Sequence, residues 1–196
     1  MYELILANIL RHIQLNTNEI NYFTSLIKSK KLRKRQYLLQ EGDICKHEFF
    51  VTEGCLRAYY INNTGQEHIV QFAVEDWWIG DLYGFLTGNP TTLNIDAVED
   101  SHVLYIDKAS LEKLYEHIPS FNKYFRILLQ NAFIAQQQRI LYNLSTDATQ
   151  RYVEFIHRYP EIERRISQSH IASYLGITPE SLSRIRKQIA KSKSKS

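Results

Sequence analysis

The sequence predicts an α+β fold in a fixed order: N-terminal helices, a jelly-roll-like β-roll, one long helix and a C-terminal helix-turn-helix. Two observations predict it. Short runs of β-branched and aromatic residues, separated by Gly, Asn and Asp, fill the segment 33–107, whereas helical periodicity fills the segments on both sides. The chain has 196 residues, 44% of them hydrophobic, which is enough for one large or two small packed cores.

Helices are expected over residues 2–29. The first has an apolar face at helical spacing, formed by Leu4, Ile5, Leu6, Ile9, Leu10 and Ile13, and a second helix follows near Thr17. A basic run, 28–35, comes next. We interpret it as a solvated edge leading into the first strand rather than as a nucleic-acid patch.

Short strands are predicted through the middle of the chain. The clearest are 49–51, 56–61, 68–73, 94–98 and 102–106. The segment Asn62–Gly65 between two of them is a plausible hairpin turn. Even spacing of short strands favours a sandwich or barrel of the jelly-roll type.

A long helix should follow the strands. Pro119 suits its first position, and a run without Gly or Pro continues to about Leu144. Apolar residues recur there at heptad spacing, and we expect this stripe to form a homodimer seam: Phe121, Phe125, Leu128, Ala132 and Ala135. A second apolar set lies on another face: Ile118, Leu129, Phe133 and Ile140. One face is therefore expected to pack on its own domain and one on a symmetry mate.

The segment 166–187 predicts two short helices joined by a tight turn. Ser167 is a good N-cap, Gly176 can end the first helix in the left-handed conformation, and Thr178 caps the second helix, with Pro179 at its first position. Apolar residues occupy one face of the second helix and polar residues the other, as a helix that reads the major groove requires. An ordinary helical hairpin with a solvated basic face is the alternative. The candidate DNA-contacting residues are Ser169, Thr178, Glu180, Ser181, Ser183, Arg184 and Lys187.

Positive charge is concentrated in the same region. Residues 145–196 contain ten Lys or Arg and five Asp or Glu, a net charge of +5, whereas the first 144 residues have a net charge of −2. The excess includes the C-terminal lysines Lys191, Lys193 and Lys195. This asymmetry favours a polyanionic partner, and we expect double-stranded DNA.

Several protein classes are not expected. No apolar run reaches the length of a membrane helix, and the N-terminus lacks the features of a signal peptide. Cys45 and Cys55 form no metal-binding or redox motif, which favours a reduced, cytoplasmic setting. Metal-binding histidine pairs, a P-loop, a nucleophile elbow and a dinucleotide fingerprint are all missing from the sequence. We therefore expect neither an enzyme nor a bound metal or cofactor.

The order of these elements resembles the Crp/Fnr family of bacterial transcription regulators, and especially the short members common in Bacteroidetes. The motifs are Glu41-Gly-Asp43, Gly54, Gly65 and Gly80-Asp81 in the strands, the stretch 77–88, and the segment 176–184. The resemblance covers about residues 10–190. It implies a cyclic-nucleotide-binding-like sensor domain over 1–118, a dimerisation helix over 119–144 and a helix-turn-helix DNA-binding domain over 145–196.

The resemblance also implies where an effector would bind. Family members that bind cyclic nucleotides have Gly-Glu before a short helix, then an Arg that neutralises the phosphate. The implied pocket residues here are Gly80, Asp81, Leu82, Tyr83, Thr91 and Thr92, with Thr91 in place of the Arg. A Thr hydroxyl supplies no charge, so cAMP is not expected to bind. Whether Arg57 or Arg139 replaces the missing cation stays open. Iron–sulfur sensors of the family need N-terminal cysteines, and residues 1–44 have none.

The expected function is an allosteric, homodimeric transcription regulator. Its partners would be an operator in double-stranded DNA, a second copy of the chain and a small-molecule effector of unknown identity, with RNA polymerase as a further candidate and no membrane. The short sequence around the helix-turn-helix predicts a short or missing wing, so DNA-backbone anchoring should depend on Arg164, Arg165 and the C-terminal lysines. The alternative is a ligand-sensing interaction module whose helix-turn-helix contacts protein.

Overall fold

The computed structural model describes residues 1–193, with side chains through Lys191, and confirms the predicted α+β order. Lys195 and the side chain of Lys193, which we expected to meet DNA, lie outside the described part. The helices are α1 Glu3–Leu10, α2 Thr17–Leu26, α3 Leu82–Thr87, α4 Lys108–His117, α5 Ser120–Ser145, α6 Ala148–Arg158, α7 Pro160–Arg165, α8 Gln168–Leu175 and α9 Pro179–Lys193. None of these helices combines the length and apolar character that crossing a bilayer demands.

Two four-stranded antiparallel sheets form the β-roll. The strands are β1 Lys28–Leu32, β2 Tyr37–Leu39, β3 His47–Glu53, β4 Leu56–Ile61, β5 Glu67–Ala73, β6 Trp78–Ile79, β7 Asn94–Ala97 and β8 Ser101–Asp107. The first sheet has the order β1-β8-β3-β6 and the second β2-β7-β4-β5. All five predicted strands are confirmed, and a turn at residues 62–65 joins β4 to β5.

The basic run forms a strand itself, which the sequence did not predict. Helix α2 ends at Leu26, and β1 begins at Lys28 and pairs with β8 along its whole length. The lysine side chains of β1 are exposed, so the run is a solvated sheet edge, as expected, although it begins within the segment expected to be helical.

The described chain has two hydrophobic cores that share one sheet. The first lies inside the roll and includes side chains of α1, α2, α4 and the start of α5. The second lies outside the roll, between the second sheet and helices α6 to α9. Alternation along β4 explains the sharing, because Leu56 and Ala58 belong to the first core and Tyr59 to the second. The helix-turn-helix is therefore packed directly on the β-roll.

A buried polar network joins α1, β6 and α5 where the long helix leaves the roll. The Tyr124 hydroxyl donates to Asn8 Oδ1 at 2.7 Å and accepts from Trp78 Nε1 at 2.9 Å. Asn8 Nδ2 in turn donates to the Asp76 carboxylate at 2.9 Å. Each of these polar groups has a partner, as groups in a core require.

Tyr124→Phe should destabilise the fold by about 1–3 kcal/mol, because it leaves the Trp78 N–H and the Asn8 carbonyl without their partner in the core. Urea unfolding measures the change. Tyr142→Phe, on the same helix and with no hydroxyl hydrogen bond among the described residues, is the matched control and should be nearly neutral. Equal effects of the two changes would contradict the role given to this network.

Candidate nucleic-acid interface and ligand groove

Local caps build the helix-turn-helix as the sequence predicts. Ser167 Oγ accepts from the His170 amide at 3.2 Å at the start of α8, and Gly176 ends that helix with φ at +67°. Thr178 Oγ1 accepts from the Ser181 amide at 3.2 Å and so begins α9. Below the turn, Leu182 and Ile185 of α9 are buried in the second core.

The opposite face of α9 is open to solvent. Glu180, Ser183, Arg184 and Lys187 are exposed and, with Pro179, line a shallow depression of about 440 Å³. The pKa of Glu180 is lowered by hydrogen bonds from its own backbone amide and the Thr178 hydroxyl, and by the charge of the nearby Arg184. The ionised carboxylate, which can accept hydrogen bonds, is therefore favoured. Of the other predicted contact residues, Ser169 is exposed, whereas Thr178 and Ser181 hydrogen-bond each other in the cap.

The arginines just before α8 have protein partners. Arg165 donates to Glu75 at 2.7 and 2.9 Å and also binds Glu99, both on the roll. In this arrangement the predicted anchoring of DNA by Arg165 is wrong, because its guanidinium is occupied by two carboxylates. Arg164 is exposed and pairs with Glu161 at 3.0 Å within α7. The described residues 108–193 form helices and turns without a strand; a wing that is short or missing on the C-terminal side stays a prediction.

Arg57 lies at the junction between the roll and α8. Its guanidinium donates to both oxygens of Asp96, at 2.7 and 2.9 Å, and also to Glu67. Arg57 Nη1 lies 2.9 Å from His170 Nε2. Because a guanidinium only donates, this ring nitrogen must accept, and His170 must be neutral with its proton on Nδ1. Burial and the Arg57 charge lower the pKa of His170, consistent with that state.

Two further residues complete the junction. Ser173 Oγ on α8 accepts from the Ile69 amide at 3.0 Å and donates to the Glu67 carbonyl at 2.7 Å, which occupies the open edge of β5. Arg139 on α5 donates to carbonyls of Ile69 and Tyr174, each at 3.1 Å, and lies 4.1 Å above the Tyr174 ring. Both arginines, Arg57 and Arg139, are thus bound to carboxylates or carbonyls of the chain itself at the junction between the roll and α8.

The pocket residues implied by the resemblance differ in burial. Thr91 is buried, and its hydroxyl accepts from the Leu93 amide at 3.0 Å, while Thr92 and Tyr83 are exposed. Asp81 is buried at the N-cap position of α3, yet its side chain makes no capping hydrogen bond. Only Gly80 and Leu82 of the six line the large groove that the structure contains.

That groove, about 1000 Å³ in volume, lies between the roll, α5 and the C-terminal helices. Its walls at the roll end are residues that the sequence reasoning missed, chiefly Glu48, Trp78, Phe85, Tyr115 and Phe125. One sequence signal could have pointed there: the carboxyl group of Glu48 stands directly before the apolar run Phe49, Phe50 and Val51.

The predicted faces of α5 are interchanged in the structure. Phe121 is 0% exposed and stacks on Phe23 within the roll core, so the prediction that it lies at a dimer seam is wrong. Phe125 and Leu128 also pack on that core, and Ala132 and Ala135 line the groove. Three of the four residues of the second apolar set are exposed, Leu129, Phe133 and Ile140, and Leu144 continues them, whereas Ile118 precedes α5 and is buried in the roll core. Heptad spacing alone does not say which stripe meets the chain's own sheet.

Comparisons with known proteins agree with this architecture. Residues 29–117 match the family model of the cyclic nucleotide-binding domain. The chain is 27% identical over 192 residues to the fumarate and nitrate reduction regulatory protein of Vibrio cholerae, covering 91% of this chain and 75% of that protein. It is 28% identical to the anaerobic regulatory protein of Haemophilus influenzae, covering 87% of this chain and 70% of that one. These matches support the predicted resemblance to the Crp/Fnr family.

A solved structure supports the fold independently. The c-di-GMP responsive global regulator CLP of Xanthomonas campestris has a TM-score of 0.74 at 14% identity, covering 90% of this chain and 93% of that one. At that identity the likeness concerns the fold alone. It confirms the predicted combination of a β-roll, a long helix and a C-terminal helical unit.

Glu48 should make stability depend on pH. Burial and the charge of Asp81 raise its pKa from the ordinary 4.5 to about 7 in the fold. Between pH 4.5 and about 7, the unfolded chain therefore binds fewer protons at Glu48 than the folded chain does. The stabilisation that protonated Glu48 gives the fold is complete below pH 4.5 and is lost as pH rises through 7. Glu48→Gln should keep that contribution, so its stability relative to the native protein should rise by up to about 3 kcal/mol from pH 5 to 8.

Urea unfolding at several pH values measures this difference. Glu53→Gln, at the exposed end of the same strand, is the control and should follow the native curve. A Glu48→Gln curve parallel to the native one would show that Glu48 titrates as it does in water.

Proposed function

We propose that the protein is a DNA-binding transcription regulator that reads its operator with α9. The observation that carries the proposal is the division of that helix: Leu182 and Ile185 are buried, while Glu180, Arg184 and Lys187 project into solvent on the opposite face. Arginine can donate two hydrogen bonds to guanine, and glutamate can accept one from cytosine. The regulatory relatives support the same reading.

We further propose that it acts as a homodimer through α5. Leu129, Phe133, Ile140 and Leu144 are exposed there at heptad-like spacing, and Phe133 is 70% exposed. Such an exposed apolar stripe favours pairing with an identical helix. A two-fold dimer would place two copies of α9 against half-sites about 34 Å apart on one face of DNA.

Regulation, in this proposal, operates through the large groove. It is lined by residues of the roll, by Leu128 and Ala132 of α5, and by Phe155 and Tyr174 of the helical unit. An occupant that prefers one arrangement of these three parts would shift the orientation of the two reading helices. A helix-turn-helix that contacts protein is the alternative, and weak salt dependence of binding to duplex DNA would favour it.

Arg184→Ala should lose about 1–3 kcal/mol of binding to the operator and relax the preference at one base pair per half-site. Lys187→Ala should weaken binding to all sequences alike and lower the salt slope by about one, because a lysine here meets phosphate. Selection of sites from random DNA with both variants tests this, with Arg33→Ala on the roll as the control. An Arg184→Ala protein that selects an unchanged motif would show that the residue reads no base.

Phe133→Glu should convert the dimer to monomer at micromolar concentration, because it places two carboxylates in an apolar seam, where desolvation costs several kcal/mol per ion. Sedimentation velocity measures the change. Lys123→Glu, exposed nearer the start of the same helix, should leave the dimer intact. A Phe133→Glu protein that stays dimeric would place the interface elsewhere.

The dissociation constant for cAMP should be about 100 μM or higher. Each tenfold rise in that constant corresponds to a loss of about 1.4 kcal/mol of binding free energy. The Thr91 hydroxyl is engaged by the Leu93 amide, and the carboxylates nearest the start of α3, Glu48 and Asp81, would repel a phosphate. Calorimetry is the measurement, and a micromolar dissociation constant would overturn the expectation.

A further inference from the structure

Two buried carboxylates beneath α3 lack hydrogen-bond partners. Asp81 is 5% exposed, and its Oδ2 atom has no partner in the described structure; the same holds for the buried Oε1 atom of Glu48. The two residues interact, since the Asp81 charge contributes to the raised pKa of Glu48. Buried acceptors without partners are unfavourable and usually indicate a missing proton, water or ligand.

The backbone around these carboxylates makes room for them. A Cβ atom at Gly80 would lie 2.8 Å from the Glu48 carboxyl carbon, and one at Gly84 would lie 2.6 Å from Asp81 Oδ2. Asp81 also forgoes the capping hydrogen bond that its position offers. The carboxylates therefore occupy space that glycines keep open, although Asp81 could instead accept a capping hydrogen bond at the start of α3.

Aromatic rings line the same groove as Glu48. Trp78 and Tyr115 each lie against Phe125, with ring centroids 5.5 and 5.7 Å apart, and Phe85 lines the same wall. Aromatic faces carry negative potential and attract organic cations. The arginines that line the groove belong to the last turns of α5 and to α6, where Arg139 and Arg151 bind backbone carbonyls.

We propose that this end of the groove binds the protonated amine of an aromatic or amphipathic organic cation, with Glu48 as its charged partner. The inference deepens the proposed function, because it names the ligand class for the groove through which regulation would operate. A metal ion is a poorer fit, since no group of three or more potential metal ligands occurs among the described residues. An organic ammonium suits both the carboxylate and the rings, whereas an anion would be repelled by Glu48.

Calorimetry with phenethylamine, phenethyl alcohol and 3-phenylpropionate tests the proposal on the whole 196-residue chain. The three probes share an apolar ring and differ in charge. Phenethylamine should bind at least about tenfold more tightly than the alcohol, as a desolvated cation–π and carboxylate contact predicts. The propionate should bind more weakly than both. Equal binding of amine and alcohol would overturn the proposal and leave a proton shared by Glu48 and Asp81 as the explanation.

Glu48→Gln should lower the affinity for phenethylamine at least about tenfold and leave that for the alcohol unchanged, because only the charge partner is lost. Glu53→Gln on the same strand should change neither. Circular dichroism shows whether each variant folds, and the unchanged alcohol affinity verifies that the groove is intact. Unaltered amine binding by Glu48→Gln would overturn the role of this residue.

Amine affinity should also rise between pH 6 and 8. The titratable groups facing Glu48 are Asp81, Cys45 and Tyr115; burial raises the pKa of the Cys45 thiol, and burial with nearby acids raises that of Tyr115 to about 12, so both stay protonated in this range.

Operator binding is measured separately on the same samples. If the amine binds but operator affinity stays the same, the site has no regulatory role. If the protein binds the amine but no operator, with or without the amine, the proposed DNA-binding function is wrong and the amine site stands.

Discussion

The burial of one β-sheet on both of its faces is the constraint on which the rest of the structure depends. One face of β4 points into the roll and the other into the core shared with the helix-turn-helix. A charged side chain on such a strand must have partners, because desolvation of an unpaired ion is prohibitive. Arg57 has Asp96, Glu67 and a neutral His170, and these contacts connect the sheet to α8.

Apolar packing and polar contacts have different roles at this junction. The apolar residues of the second core favour association but fix no register, since hydrophobic contact is non-directional. The register comes from directed bonds: Ser173 occupies the edge of β5, and Arg165 joins Glu75 to Glu99. Covering the edge also removes a row of unpaired backbone groups that could pair with another chain. The position of α9 relative to the roll therefore follows from a few named hydrogen bonds.

The sequence predicted what depends on near neighbours and missed what depends on topology. The caps at Ser167, Gly176 and Thr178 act within a few residues, so their pattern specified the helix-turn-helix correctly. Heptad spacing showed that α5 has two apolar faces, but which of them meets the roll depends on the direction in which the helix leaves Pro119. The partners of Arg57 come from β5, β7 and α8, and no local pattern joins those segments.

The proposed coupling between the groove and α9 would act through side chains that belong to both the groove and the second core. Phe72, Phe155 and Tyr174 line the groove and also pack in the core between roll and helices. A ligand in contact with them would alter the packing that holds α8, and the most it could shift the equilibrium is its difference in affinity between the two arrangements. Tight binding at Glu48 alone would therefore regulate nothing. Regulation requires an apolar body long enough to reach these three rings from the carboxylate.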